Sequence, residues 1–491
     1  MGDVTTAIAA PVTVRNRIDG ELVPSSGGST FEVHNPAAAK IITSIAPDSE
    51  PADVEAAITA AQSALAGWAT TAAPVRASFL NKAAAILDQQ ADEVAREMVA
   101  EMGKPFADAR NEVKRSAENL RLYAGEALRL QGTTFVTDDP TVSVMTMVDP
   151  IGVVGAITPW NFPLSLASRK LGPALAAGNT VVFKPSSMTP LMGERLAGSL
   201  EAAGLPRGVV NVVHGFGAGG LVVADERVRA ITFTGSTAVG KKIHAALGLG
   251  RRAQLELGGN NPVVVLADAD PKRAASVIVR SSFALSGQAC TGAGRVIVED
   301  GIHDQVLDLV AHAAAKLRVG PGLADGVDMG PLIDERAVDN MAAVVESALA
   351  AGARLVFGGR RLAGDPFDDG WFFPPTILAD VTPDMDVSCT EVFGPVIGFE
   401  RVGNVDEAIA RANDTEYGLT AAICTGDLAS AQRFARESQA GVVRINRPTI
   451  GTSLSAPFGG IKMSGTGTHK EQLGPTVMDF YTQQRTVFMG S

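Results

Sequence analysis

Gly152-Val-Val-Gly-Ala-Ile157-Thr-Pro-Trp-Asn-Phe-Pro163 and, after one apolar-periodic stretch, Asn179-Thr-Val-Val-Phe-Lys184-Pro-Ser-Ser187 read as strand, loop, helix, strand. The strands are short, almost wholly apolar and free of period-two alternation, the pattern of strands buried on both faces of a parallel sheet. Val209–Val213 and Ala230–Phe233 repeat it, with helical periodicity between them, so residues 152–257 predict a doubly wound α/β unit. The alternation restarts after Gly258-Gly259. Strands are expected at Pro262–Leu266, Arg295–Val298 and Arg354–Phe357, and helices near Pro271–Leu285 and His303–Leu317, which makes a second α/β unit. Upstream, Asp53–Trp68, Ala77–Gln90 and Ala107–Leu130 are helical. Thr133–Thr137 and Val142–Val148, joined by Asp138-Asp139-Pro140, suggest a hairpin. Phe480–Phe488 reads as a strand that joins this hairpin or a neighbouring subunit.

A chain of 491 residues, nearly half apolar, is long enough for two or three domains. Its net charge of −11 argues against broad nucleic-acid or anionic-membrane binding. Val142–Ile157 is the most apolar stretch, but Asp149-Pro150 interrupts it and it is too short to span a bilayer. Three cysteines without CxxC spacing and six unclustered histidines give no metal site and no disulfide framework. A reducing, cytoplasmic setting is the economical expectation.

Chemistry gathers at strand ends. Cys290 stands between Ser-Gly-Gln-Ala and Thr-Gly-Ala-Gly, where small residues admit a substrate and leave main-chain N–H groups for an oxyanion. Cys389 and Cys424 read as small buried hydrophobes. Glu256 closes the apolar strand Leu255–Leu257 and is either a base or a solvated strand end. Asn161 can donate its amide to an oxyanion or cap the following helix. Lys184 ends a strand where sugars and phosphates bind in such sheets, or is merely solvated there. Gly215-Phe-Gly217-Ala-Gly-Gly220 matches GxGxxG but follows a late strand and lacks the acidic partner. Phe233-Thr234-Gly235-Ser236 opens a helix and is as good a phosphate cradle.

Together these segments resemble the NAD(P)-dependent aldehyde dehydrogenase superfamily, over nearly the whole chain from Asn35-Pro36 to the terminal strand. The family's markers occur in order: Pro159-Trp-Asn-Phe-Pro163, Lys184-Pro-Ser, Phe233-Thr-Gly-Ser236, Leu255-Glu-Leu-Gly-Gly259, Gly287-Gln-Ala-Cys290, Glu391-Val-Phe-Gly-Pro395 and Pro457-Phe-Gly-Gly460. The resemblance implies an aldehyde dehydrogenase fold. It has a Rossmann-like cofactor domain (1–131 and 150–258), an α/β catalytic domain (259–455) and a β oligomerisation arm (132–149 and 456–491) that makes a homodimer or homotetramer.

It also implies roles. Cys290 attacks the aldehyde, Asn161 and the Cys290 N–H hold the oxyanion, and Glu256 activates water to release the free acid. NAD or NADP would lie along Ile157, Thr158, Pro159, Trp160, Lys184, Ser186, Ser187, Gly217, Phe233, Thr234, Gly235, Ser236 and Leu257, with Glu391 at the nicotinamide ribose and Phe393 beside it. Relatives that acylate coenzyme A generally lack the glutamate, so Glu256 favours hydrolysis. Many NAD-preferring members carry glutamate where this chain has Ser187, which favours NADP. Asn260 stands where lysine is common, and the 462–474 segment departs from the family's usual run, leaving the role of Glu471 open. Arg169 and, secondarily, Arg447 lie in tracts similar to those of succinate- and α-ketoglutarate-semialdehyde dehydrogenases, which implies an aliphatic aldehyde with a distal carboxylate. An aromatic-aldehyde dehydrogenase is the alternative enzyme, and a non-catalytic structural or binding member the alternative of another class.

Overall fold

The computed structural model describes residues 8, 10–466 and 472–490. Two seven-stranded sheets dominate it. The first runs, in spatial order, Arg252–Glu256, Val228–Thr234, Val153–Ile157, Thr180–Lys184 and Val210–Val212, all parallel, with Asn16–Ile18 and Glu21–Val23 added antiparallel at one edge. The order turns back beside Val153–Ile157, because the chain builds outward to Val210–Val212 and then returns to the opposite side. In register, Ile157 pairs with Lys184 and Phe233, and Thr234 with Glu256, so these strand ends lie side by side at the switch point where such sheets bind ligands.

The second sheet runs Arg354–Phe357, Thr376–Ala379, Val396–Val402, Ala293–Glu299, Asn261–Val265, Thr420–Cys424 and Val442–Ile445, parallel except for the first strand. Only residues 257–260 link Glu256 to Asn261. The carboxyl edge of the first sheet is therefore tied to the amino edge of the second, where the loops carrying Cys290 and Glu391 enter their strands.

Helix Pro163–Ala177 shows how this frame is held. Proline starts it, Gly178 at φ +95° ends it in the left-handed region, and it is buried along its whole length. Leu164, Leu171 and Leu175 have no exposed surface, each burial being worth about 1.5–3 kcal/mol. Helices Pro51–Thr70, Ala73–Gln89 and Phe106–Ala127 lie within a few residues of the expected spans. Ala91–Met102 was not anticipated.

The C-terminal strand is Thr482–Gly490, not Phe480–Phe488. Met478–Tyr481 forms a helical turn that buries Phe480 and Tyr481. The strand pairs antiparallel along all of Val142–Pro150, and Thr134–Phe135 adds a third strand, shorter than expected. The sequence reading also passed over a three-stranded sheet of Val12–Thr13, Ala38–Pro47 and Thr30–Asn35. No helix among the described residues is long and apolar enough to cross a membrane.

Candidate active site

Cys290 opens onto a cavity of ≈ 340 Å³ together with Glu256, Thr234, Arg169, Phe458 and Gln472. The segment before it is unusual. Leu285, Ser286 and Gly287 all have φ near +55 to +71°, a left-handed turn that L side chains disfavour. Side chains hold it there: Ser286 Oγ donates to the Gly330 carbonyl (2.8 Å), and Gln288 Oε1 accepts from the Ile333 N–H (2.9 Å). A Cβ on Gly287 would lie 2.1 Å from the Gly394 carbonyl oxygen, so no other residue fits. Beyond the thiol, Asn261 Nδ2 donates to the carbonyls of Cys290 (2.8 Å) and Gly292 (2.7 Å), while its Oδ1 accepts from the Thr420 N–H (2.9 Å). A side chain passed over in the sequence thus fixes the nucleophile loop.

Burial pushes the Cys290 thiol up to about 12, reinforced by the Glu256 and Glu391 carboxylates and opposed by Arg169. The resting thiol is therefore neutral and needs a proton acceptor. Glu256, 1 % exposed at its strand end, lines the same cavity, as do Asp108 and Glu112. Asn161 is buried on the other side. Its Nδ2 donates to the Gln288 carbonyl (3.0 Å) and its Oδ1 accepts from the Phe162 N–H (3.0 Å), so the amide that could face an oxyanion is anchored two residues from Cys290.

Arg169 projects from helix Pro163–Ala177 into the cavity, where burial lowers its affinity for a proton. Nη1 donates to Gln472 Oε1 (3.1 Å) and Nη2 to Thr452 Oγ1 (3.0 Å), both neutral, and Nε has no partner. Among the described residues no carboxylate pairs with it. Arg447 is exposed and does not line the cavity, so the structure does not bring the two candidate arginines together. The cavity instead holds Arg115, Lys104 and Glu112, which lie on or beside upstream helices and gave no signal in the sequence beyond ordinary helix-surface charge. Glu471 lies outside the described residues.

The cofactor candidates line the switch point. Lys184 Nζ donates to Ser187 Oγ (3.2 Å), and burial lowers the amine to about 8, with Asp48 opposing. Ser186 and Ser187 are buried. Ser236 caps helix Thr237–Ala246, its Oγ accepting from the Val239 N–H (3.4 Å), which leaves its own proton to donate. Gly235 lies against the Phe233 ring, and Gly240 against Leu257. Gly217 precedes the short helix Ala218–Ala224, and a Cβ there would meet nothing. Gly215, by contrast, is required by packing, since its Cβ would strike Asp48. Thr158, after Ile157, carries a buried hydroxyl without a partner, as a site built for a polar ligand would. At the far end the Gly259 N–H donates to Glu391 Oε1 (3.0 Å), burial pushes that carboxyl up to about 7, and Trp160 meets Phe393 edge-on at 5.7 Å. These donors, the open glycine and the orphaned hydroxyl fit a dinucleotide. No group of His, Cys, Asp or Glu among the described residues is placed to hold a metal.

Residues 22–487 match the aldehyde dehydrogenase family. The chain belongs to that family. As an aldehyde dehydrogenase it is an oxidoreductase that oxidises aldehydes with NAD or NADP. It is 42% identical to a 2,5-dioxopentanoate dehydrogenase of Saccharolobus solfataricus, over 89% of this chain and 91% of that one. Identity to an α-ketoglutaric semialdehyde dehydrogenase of Bacillus subtilis is 39%, over 97% and 98% of the two chains. Among solved structures, an NADP-dependent enzyme of E. coli superposes with a TM-score of 0.93 at 37% identity, covering 98% of both chains. The aldehyde dehydrogenase fold expected from the motifs is thereby shown.

Proposed function

We propose that this aldehyde dehydrogenase oxidises an aliphatic semialdehyde bearing a distal carboxylate to the free acid, using NADP in preference to NAD. Arg169 carries the reading. A guanidinium buried in the nucleophile's cavity, with neutral partners and one idle N–H, is an unfilled receptor for a planar anion. The names of the two sequence relatives, both of which act on such semialdehydes, support it.

In this reading the Cys290 proton is released to solvent water as sulfur adds to the aldehyde carbon. The new oxyanion lies between Asn161 Nδ2 and the Cys290 N–H. A bound dinucleotide supplies the acceptor for the hydride that leaves this carbon. Lys184 and Ser187 would hold its adenosine ribose, Ser236 its pyrophosphate, and Glu391 its nicotinamide ribose, with Phe393 beside it. The carbonyl re-forms as a thioester on Cys290. Glu256 then takes a proton from water as hydroxide adds to the acyl carbon, and returns it to sulfur as the carbon–sulfur bond breaks, giving acid and thiol.

The same reading gives the first sheet and its upstream helices to the cofactor, the second sheet to catalysis, and the three-stranded sheet to assembly of a homodimer or homotetramer. Exposed Phe135, Phe488 and Met489 on the sheet of Thr134–Phe135, Val142–Pro150 and Thr482–Gly490, with Val136 beside it, support assembly. Residues 456–474, grouped with the arm in the sequence, contribute Phe458 and Gln472 to the cavity, so the arm proper is best begun at Thr482.

Arg169→Met tests the substrate class. Losing a charged hydrogen bond should lower kcat/KM for a carboxylated semialdehyde by roughly 10- to 100-fold. An uncharged aliphatic aldehyde of the same length should lose little. A preference for uncharged aromatic aldehydes, unmoved by the substitution, would overturn the carboxylate reading.

A further inference from the structure

The tract that carries Asn161 is gripped by a buried ion pair that the reaction scheme does not use. Lys104 follows Gly103, whose φ of +82° turns the chain out of helix Ala91–Met102. Its ammonium donates to the Glu112 carboxylate and, at 2.9 Å, to the main-chain carbonyl of Asn161. The Phe162 ring faces the same ammonium at 4.7 Å. Both side chains are shut from solvent, 1 % and 3 % exposed.

Glu112 completes the grip from the other side. Its Oε1 accepts the N–H groups of Leu164 (3.0 Å) and Ser165 (3.1 Å). These are among the first donors of helix Pro163–Ala177, whose own cap position, Phe162, offers no side-chain acceptor. The missing cap is therefore supplied by a carboxylate from helix Phe106–Ala127. One ion pair thus fixes a carbonyl at Asn161 and two N–H groups just beyond it. From there the Asn161 amide reaches Gln288, two residues before the nucleophile.

We propose that Lys104 and Glu112 are a positioning pair that sets the Asn161 amide for the oxyanion. The proposal rests on Asn161 being the oxyanion donor. A buried ion pair adds little stability over apolar side chains of the same volume. Apolar packing, however, has no donor with which to hold a carbonyl, and the Asn161 carbonyl is what Lys104 holds. The amide must sit where charge develops to within a few tenths of an ångström. Neither residue needs to touch the reacting atoms.

The test uses the full-length enzyme and hydrolysis of 4-nitrophenyl acetate without cofactor, a reaction of thiol, oxyanion donor and base that is independent of the natural aldehyde. Lys104→Met/Glu112→Gln removes both charges together, so neither is left buried alone, and the glutamine carbonyl can still cap the helix. The pair variant should unfold within a few degrees of wild type and keep KM within about twofold, while kcat falls roughly tenfold or more toward the level of Asn161→Ala. Combining the pair variant with Asn161→Ala should lower kcat no further than Asn161→Ala alone, because the pair acts through that amide. A pair variant with unchanged kcat, or losses that multiply in the triple variant, would overturn the proposal. Asn161→Ala with undiminished ester hydrolysis would remove the oxyanion assignment beneath it, a different and recognisable result.

Discussion

Ser187 accepts a hydrogen bond from Lys184 Nζ, which leaves its own proton for a ligand oxygen. An ammonium and a hydroxyl at the proposed ribose site would attract a 2′-phosphate, whereas a carboxylate would repel it. Ser187→Glu is therefore expected to shift the ratio of kcat/KM for NADP to that for NAD by about tenfold or more toward NAD; an unchanged ratio would contradict the assignment. Residues of this kind were legible because they sit at glycine- or proline-marked strand ends with few competitors. A thiol among three, flanked by small residues, stands out. Lys104, Glu112, Asn261 and Gln472 do not. A buried Glu112 looks like any charged residue of helix Phe106–Ala127 until its partners, some fifty residues on, are seen. Asn261 follows a glycine pair as one polar residue beside another, and nothing in that pattern shows that its amide is fully used by three main-chain groups.

At the scale of the element, the link at residues 257–260 does most to place the site. It brings a carboxyl strand end against the loops of the second sheet, and Gly258 allows the close approach. A Cβ there would fall 2.1 Å from Glu391 Oε2. Gly258→Ala should displace Glu391 and raise the KM for cofactor by about tenfold, with the KM for aldehyde little changed. Equal KM values for cofactor would show that Glu391 does not serve it. Val153–Ile157 and Thr180–Lys184 in the first sheet were readable because they are nearly continuous apolar runs. Val396–Val402 was missed because its core face carries Glu400, which is buried by pairing with Arg295 and Arg411, so a central strand reads as mixed and polar. Thr376–Ala379 is four residues long and offers too little pattern. The C-terminal strand was shifted because Phe480 and Tyr481, apolar and next to it, turn inward as a helical turn instead.

For the molecule as a whole, a buried acid away from the cavity, Glu101, bears on stability. Glu101 binds the cofactor-side helices to the N-terminal sheet, its Oε1 accepting from Ser44 Oγ (2.7 Å) and the Leu191 N–H (3.1 Å). Burial pushes its carboxyl up to about 8 from an ordinary value of 4.5. A folded-state value above the unfolded one means its contribution is complete at pH below the ordinary value and is lost as pH rises through the folded value. Between about pH 5 and pH 8 the unfolding midpoint of the native enzyme should therefore fall more steeply than that of Glu101→Gln; parallel curves would contradict it. The two-sheet frame followed from strand rhythm, and the chemistry from the two acids and thiol that the frame brings together. The proposed reaction has two halves, with Cys290 taking up the acyl group and Glu256 releasing it by hydrolysis. Rapid mixing of Glu256→Gln with aldehyde and cofactor tests this most directly. A burst of reduced cofactor approaching one equivalent per site, followed by little turnover, is expected, and normal steady-state turnover would contradict the two-half reaction.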